Sequence, residues 1–287
     1  MHVVRFAALL FVATAARAQT PAATWDSVAR ILEAPATPSA GYTRFNIPRR
    51  DLVHRIGDVT VAPALLSTTW AGFAGTPSDA ETMGDIVMTA GEVPGVTAEL
   101  AREGIDLMAL HNHAAGDVPA LTYAHFHARG GLVDLATRVD RVLARTAAPR
   151  PVAAAPAVPL AIDTGRVFAA LGAAGRAQGA LAQVGLMFVP GTVTMDGHPL
   201  VPAMAYGTPI SIQMVDATRA VAAGDFTVPP EKVQGVVTAL AASGITATAL
   251  HTHLVGESPR VYYIHFWADG PLDGVLAGLR RAIEAAR

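Results

Sequence analysis

The 287-residue chain contains no cysteine. That excludes disulfides, thiol nucleophiles and thiolate ligands, so any bound metal must be held by imidazole or carboxylate. Charge is also scarce. Only 15% of residues are charged, the formal net charge is −2, and no stripe of Lys and Arg is interleaved with aromatics. Nucleic acid is therefore not an expected partner. Beyond the N-terminus, no stretch approaches the eighteen unbroken apolar residues of a membrane span. There is no Gly-x-Ser-x-Gly, no His-Glu-x-x-His, no phosphate-binding glycine loop and no dinucleotide fingerprint. What is abundant is apolar residue, at 52%, which suits a globular protein with one large core or two modest ones.

The N-terminus reads as an address. Arg5 precedes an apolar run from Phe6 to Val12, and Ala16-Arg17-Ala18 forms a small-x-small cleavage signature. Residues 1–18 are expected to be a signal peptide, and the mature chain to begin at Gln19. No cysteine stands there to accept a lipid, so a free periplasmic or secreted protein without stable membrane insertion is expected. Removal of Arg5 and Arg17 takes the net charge to −4.

The chain repeats itself. A shift of 140 residues aligns Gly84-Asp85 with Gly224-Asp225, Gly104-Ile105 with Gly244-Ile245, and Ala109-Leu110-His111 with Ala249-Leu250-His251. His113 then matches His253, and Pro119, Tyr123, His125 and Phe126 match Pro259, Tyr263, His265 and Phe266. Between the copies, residues 146–159 carry four prolines and no periodicity, which marks a linker. The expected organisation is a first repeat domain over 19–145 and a second over 160–287.

Each copy reads as α+β. In the first, Ile86–Met88 fits a short buried strand, a helix follows over about 92–103, and Gly104 ends it. Strands are expected over 106–113 and 121–127, then a helix over about 132–145 with Leu135, Val139, Val142 and Leu143 on its inner stripe. The second copy predicts helices over 231–243 and 272–285 and strands over 246–253 and 260–267. Upstream, "YTRFNI" and "GLMFVP" are expected to add strands. An antiparallel sheet with helices on one face is the simplest layered solution for each unit.

Histidine carries the chemistry. Side chains alternate along a strand, so His111 and His113 share a face, and His125 reaches them across a hairpin. Three charged imidazoles in one pocket repel one another, whereas neutral imidazoles ligate Zn, Cu, Fe or Ni. His111, His113 and His125, with His251, His253 and His265, are therefore the candidate ligands of a divalent transition metal. Asp117 and Glu257 occupy matching positions as a further ligand, a partner for a distal ring nitrogen, or a catalytic base. A metal-free polar cluster and a purely structural sheet face are the alternatives.

Other residues are candidates for a small ligand. Tyr123 and Tyr263 share a strand face with the histidines and can donate a phenolic hydrogen bond. His127 becomes Trp267 in the second copy, a ring that can wall a pocket or simply pack. Arg260, where the first copy has Ala120, suits an anion. Asp85 and Asp225 follow glycine, which favours a turn role, with histidine binding as the other use. The His-x-His-x3-Asp/Glu spacing is also similar to the first cupin motif, but no second cupin motif follows.

The two copies of Gly-Asp…Gly-Ile…Ala-Leu-His-x-His…Gly-(Asp/Glu)-x-Pro…Tyr-x-His-Phe resemble the duplicated domain-of-unknown-function family DUF1259, which includes the mycobacterial LppY/LpqO lipoproteins. The resemblance covers nearly the whole mature chain. It implies export, although the lipid-accepting cysteine is missing, and it brings no established activity. Members carry Glu-x-Pro-Arg after the histidines; the second copy keeps it as Glu257-Ser258-Pro259-Arg260, and the first has Asp117-Val118-Pro119-Ala120. The expected function is an exported protein that binds a transition metal or small ligand. A metal-dependent hydrolase or lyase of the cell envelope and a non-catalytic structural protein are the alternatives.

Overall fold

A computed structural model describes residues 22–154, 162–178 and 180–287. The expected signal peptide and the last five residues of the expected linker, 155–159, lie outside the described residues. The first unit runs α1 (Ala22–Leu32), β1 (Ala36–Ser39), β2 (Tyr42–Pro48), a short pair β3 (Arg55–Ile56) and β4 (Val59–Thr60), β5 (Thr68–Gly75), β6 (Ala80–Thr89) and α2 (Val93–Arg102). It closes with β7 (Asp106–His111), the short β8 (Asp117–Val118), β9 (Leu121–Gly130) and α3 (Leu132–Leu143). The second unit repeats this plan. It runs α4 (Thr164–Leu171), β10 (Gly175–Gln178), β11 (Leu181–Leu186), the short β12 (Thr194–Met195) and β13 (His198–Pro199), α5 (Pro202–Ala205), β14 (Thr208–Met214) and β15 (Arg219–Val228). After a 3-10 turn come α6 (Val233–Ala241), β16 (Thr246–His251), the short β17 (Glu257–Ser258), β18 (Tyr262–Pro271) and α7 (Leu272–Ala286).

Both units are α+β with the same antiparallel six-stranded order, β1-β2-β5-β6-β9-β7 and β10-β11-β14-β15-β18-β16. Helices pack on one face of each sheet. Along β9, Ala124, Phe126 and Ala128 point into that helical core with the α3 stripe Leu135, Val139, Val142 and Leu143. In the second unit Ile264, Phe266 and Ala268 meet Leu272, Leu276, Leu279 and Ile283 of α7. Gly104 and Gly244 end α2 and α6 at φ +59° and +70°, a left-handed cap that lets the next amide return to the carbonyl five residues back. The segment "YTRFNI" is β2, whereas β11 ends at Leu186, just inside "GLMFVP".

The opposite face of each sheet is covered by the other unit. Residues 58–66 of the first unit reach the second sheet: the Ala62 amide donates to Gln213 Oε1 at 2.8 Å, and Gln213 Nε2 donates to the Thr60 carbonyl at 3.0 Å. There Leu65 and Leu66 pack with Leu181, Val221 and Trp267. Reciprocally, Val201 and Met204 of the second unit pack on Tyr42, Trp70 and Met83 of the first. The non-helical faces are thus buried between the halves, and the remaining strand residues, Tyr123, His125, Tyr263 and His265, point into that contact.

Glycine permits the close strand approach behind this contact. A Cβ at Gly84 would sit 2.2 Å from the Trp70 carbonyl oxygen and 2.6 Å from the Phe126 ring, and one at Gly224 would sit 2.1 Å from the Pro209 carbonyl oxygen. Neither obstacle can swing away, since strand backbone is fixed by its neighbours. Gly84→Ala and Gly224→Ala are each expected to cost about 3 kcal/mol of stability. Urea unfolding reads this directly, and an unchanged midpoint would show that the strands can part without penalty.

Candidate metal centre at the contact between the repeats

Each histidine triad is positioned by a hairpin-like pair of strands. β7 pairs with β9 so that Ala109 faces His125 and His111 faces Tyr123, with a bulge between Leu107 and Ala109. The second unit copies this, with Ala249 facing His265 and His251 facing Tyr263. His113 and His253 lie just beyond the strand ends, where each ring stacks on a tyrosine at 3.6 Å, His113 on Tyr123 and His253 on Tyr263. The tyrosine hydroxyls are turned away and tethered: Tyr123 donates to the Leu66 carbonyl at 3.2 Å and Tyr263 to the Ala205 carbonyl at 2.7 Å. Burial raises both phenols well above 10, so they act as fixed neutral walls.

The two triads form one cluster. The ring centroids of His111 and His251 are 3.9 Å apart, those of His113 and His265 4.1 Å, and those of His125 and His253 3.7 Å. Exchange of the repeats converts the second contact into the third, so His111 and His251 meet on a pseudo-twofold axis with two rings on either side. Two ligand sets result among the described residues. One nitrogen from each of His111, His251, His253 and His265 falls within a 4.8 Å span, and the same holds for His111, His113 and His125.

Burial favours the neutral form of five of the six histidines. Burial lowers every one of these pKa values for which a shift is resolved, and the neighbouring imidazoles lower them further. His125 and His251 fall to about 3, His113 and His253 lie well below the usual 6.5, and His111 is lowered less because Asp85 offsets its burial. Neutral imidazole is the ligating form. The His111 Nδ1 lies 3.1 Å from the Asn112 carbonyl oxygen, which can only accept, so Nδ1 carries the proton and Nε2 the lone pair. That nitrogen, both ring nitrogens of His251, and Nε2 of His113 and His125 are buried without a hydrogen bond. Buried polar atoms are rarely left so, and a metal ion is a partner able to satisfy convergent imidazole nitrogens. The six-histidine cluster is therefore capable of coordinating a metal ion.

Two carboxylates complete the site. Asp85 lies directly across from His125 in the β6–β9 ladder, and its Oδ2 is 3.3 Å from His113 Nε2 and 3.5 Å from His125 Nε2. Asp225 lies across from His265 and forms an ion pair with its Nδ1. Burial alone would raise the Asp225 carboxyl, but His265 holds it at about 2. This leaves His265 Nε2 facing His253 Nε2 at 3.3 Å. Asp225, behind His265, orients that ring and increases its basicity as a ligand, whereas Asp85 shares the Nε2 side of its two histidines. Asp85 and Asp225 are mid-strand residues, not the turn residues that a preceding glycine suggests. Their recurrence at the same offset as the histidines was the signal that tied them to the site.

The other candidates take up different positions. Asp117 stands at the turn after β7, where its Oδ2 accepts from the Leu121 amide and pairs with His54 at 3.1 Å, a histidine outside the repeated motif. Glu257 accepts from the Val261 amide and pairs with Arg260 at 3.1 Å, whose side chain is half exposed. Neither acid belongs to the metal-capable sets found among the described residues. His127 lies further along β9, opposite Met83 and Asp106, buried and with Nε2 unpartnered. Trp267 packs against the Leu65–Leu66 arm.

Beside the cluster, a cleft of about 640 Å³ opens between the two sheets. His113, His125, His253, Asp85, Asp225 and Tyr263 are among its lining residues. Arg44, Trp70 and Arg176 line it as well, and sequence reading gave no signal for any of these three.

Residues 26–145 and 165–285 each match the family described as Domain of Unknown Function (DUF1259). The chain belongs to that family. The two matched segments correspond to the two repeats. No curated protein matches the chain. Among solved structures, it is similar to EtuB from Clostridium kluyveri at 13% identity, over 88% of this chain and 90% of that one, with a TM-score of 0.23. It is also similar to a fused permuted hexameric shell protein from the RMM microcompartment at 13% identity, over 73% of this chain and 82% of that one, with a TM-score of 0.20. At these scores neither likeness bears on the function of this DUF1259 chain.

Proposed function

We propose that this DUF1259 protein is an exported transition-metal-binding protein whose two repeats build one shared centre. The observation that carries the reading is the convergence of six imidazoles from both repeats, with unpartnered nitrogens facing one another. His111, His251, His253 and His265 supply four nitrogen donors, the number a closed tetrahedral site requires. Zn, Cu, Fe and Ni all accept imidazole nitrogen, and the absence of thiolate disfavours the softest of the copper sites. His111 offers one lone pair, so it serves one ion at a time.

The cleft favours a second reading, a metal-dependent hydrolase or lyase. The set His111, His113 and His125 has only three histidines, and two of them face the cleft. A divalent ion there would supply Lewis acidity to a molecule entering from the cleft. Asp85 is the carboxylate placed to hold a proton beside that molecule, while Asp117 and Glu257 position the two turns.

Export rests on the N-terminal pattern and on the likeness to the LppY/LpqO lipoproteins, and places the protein in the periplasm or outside the cell. One preparation tests both parts. Protein recovered from the cell envelope without a polyhistidine tag is expected to begin at Gln19 and to hold about one equivalent of transition metal by elemental analysis. A protein that stays empty after reconstitution with Zn, Cu, Fe and Ni salts would overturn the metal reading, and an intact Met1 would overturn export.

A further inference from the structure

The cleft holds two cations that the metal centre does not explain. Arg44, on β2, lies half-buried with its guanidinium over the Trp70 ring, 4.2 Å from the centroid, and its Nε donates to Asn46 Oδ1 at 2.8 Å. Arg176, on β10 of the other repeat, donates from Nε to Gln183 Oε1 at 3.1 Å. Among the described residues neither arginine forms a salt bridge, whereas most other arginines there do, Arg49, Arg138, Arg145, Arg219 and Arg280 among them. Asp85 acts on Arg44 only at a distance and is engaged with His113 and His125. Burial lowers the Arg44 pKa, and the charge of Arg176 lowers it further, so the two guanidiniums face the same space and repel.

Two unneutralised guanidiniums from opposite walls of one cleft call for an anion between them. The remaining wall says which kind. Met83, Met108, Met204, Leu65 and Leu66 line the same space, a flexible apolar surface that gives an inorganic ion nothing to bind. Trp70 holds Arg44 in place by cation–π stacking, which keeps its planar fork oriented when empty. We propose that the cleft binds a small organic carboxylate, its charged end between Arg44 and Arg176 and its apolar body along the methionine wall. The site is built by both repeats, and the second repeat has Gln183 at the strand position that pairs like Arg44, so the pseudo-symmetry of the histidines is broken here and only one orientation of the ligand is served.

The test uses the full mature chain stripped of metal with EDTA, so that its outcome is independent of the histidine centre. Calorimetric titration with benzoate is expected to show one site per chain. Arg44→Met is expected to weaken it about tenfold or more, the loss typical of a charged hydrogen-bonding partner, with Arg44→Lys intermediate. Arg176→Met, at an exposed position where folding is not at stake, is expected to weaken it in the same direction. Titration with inorganic phosphate is expected to give weaker binding than benzoate. Absence of benzoate binding by the wild type, wild-type affinity in both methionine variants, or a preference for phosphate would each overturn the proposal. Metal content in the same variants is expected to match the wild type.

Discussion

Replacing His111 with alanine is expected to lower affinity for the bound metal about a hundredfold or more. Loss of a residue that merely orients a ligand costs ten- to a hundredfold, and His111 is a direct donor in both ligand sets. It sits on the pseudo-twofold axis against His251, so neither repeat can compensate for its loss from its own residues. Its side chain is only half-buried and stands at a strand end, so removal leaves the sheets intact. His127→Ala is the matched control, because that histidine is on the same strand as His125 yet outside both sets. Competition against a chelating dye measures both. Wild-type affinity in His111→Ala, or an equal loss in His127→Ala, would mean that the cluster is not the binding site.

Metal-free protein is expected to lose stability steeply between pH 6.5 and 5. In the unfolded chain these histidines titrate near 6.5, whereas folding holds His125 and His251 at about 3 and His113 and His253 well below 6.5. Above pH 6.5 both states are neutral there and stability does not respond. Below it the unfolded chain takes up protons that the folded chain refuses, and each such histidine costs about 1.4 kcal/mol per pH unit. At pH 5 His125 alone costs about 2 kcal/mol, a large share of the stability of a typical domain, and the other lowered histidines act in the same direction. Asp225, held at about 2, works in the opposite sense, but its contribution is complete above 3.8 and is lost only well below this window. A bound metal occupies the nitrogens and favours the folded state, so the transition is expected at lower pH in the loaded protein. Denaturation midpoints across pH 5 to 7, with EDTA and with zinc, report the difference. A flat profile in EDTA would show that the imidazoles reach solvent in the folded chain.

The helices and the histidine strands were legible because their determinants are local. The stripe Leu135, Val139, Val142 and Leu143 has helical spacing, Gly104 supplies a left-handed cap, and Tyr123, His125 and His127 alternate with Ala124 and Phe126 as a two-faced strand requires. The same local view misread Asp85. A glycine before an aspartate is a common turn signal, but here Gly84 is a strand residue whose missing side chain lets Trp70 and Phe126 approach, and Asp85 consequently faces His125. Asp117 showed the converse. Its spacing after His113 placed it near the histidines along the chain, yet its turn directs it to the Leu121 amide and to His54, sixty-three residues away.

By itself the sequence determined the duplication, the α+β character of each copy, three recurring histidines per copy, and the exclusion of thiolate chemistry. Whether those histidines made two sites or one was decided only by tertiary structure. The contact is built by the 58–66 arm and by Val201 and Met204, whose partners are Gln213 and Val221 in one case and Tyr42 and Met83 in the other. Those pairings span more than a hundred residues and leave no periodicity to read. The cleft and its pair of arginines follow from the same contact, because Arg44 and Arg176 come from different repeats and share a space only once the two sheets have met.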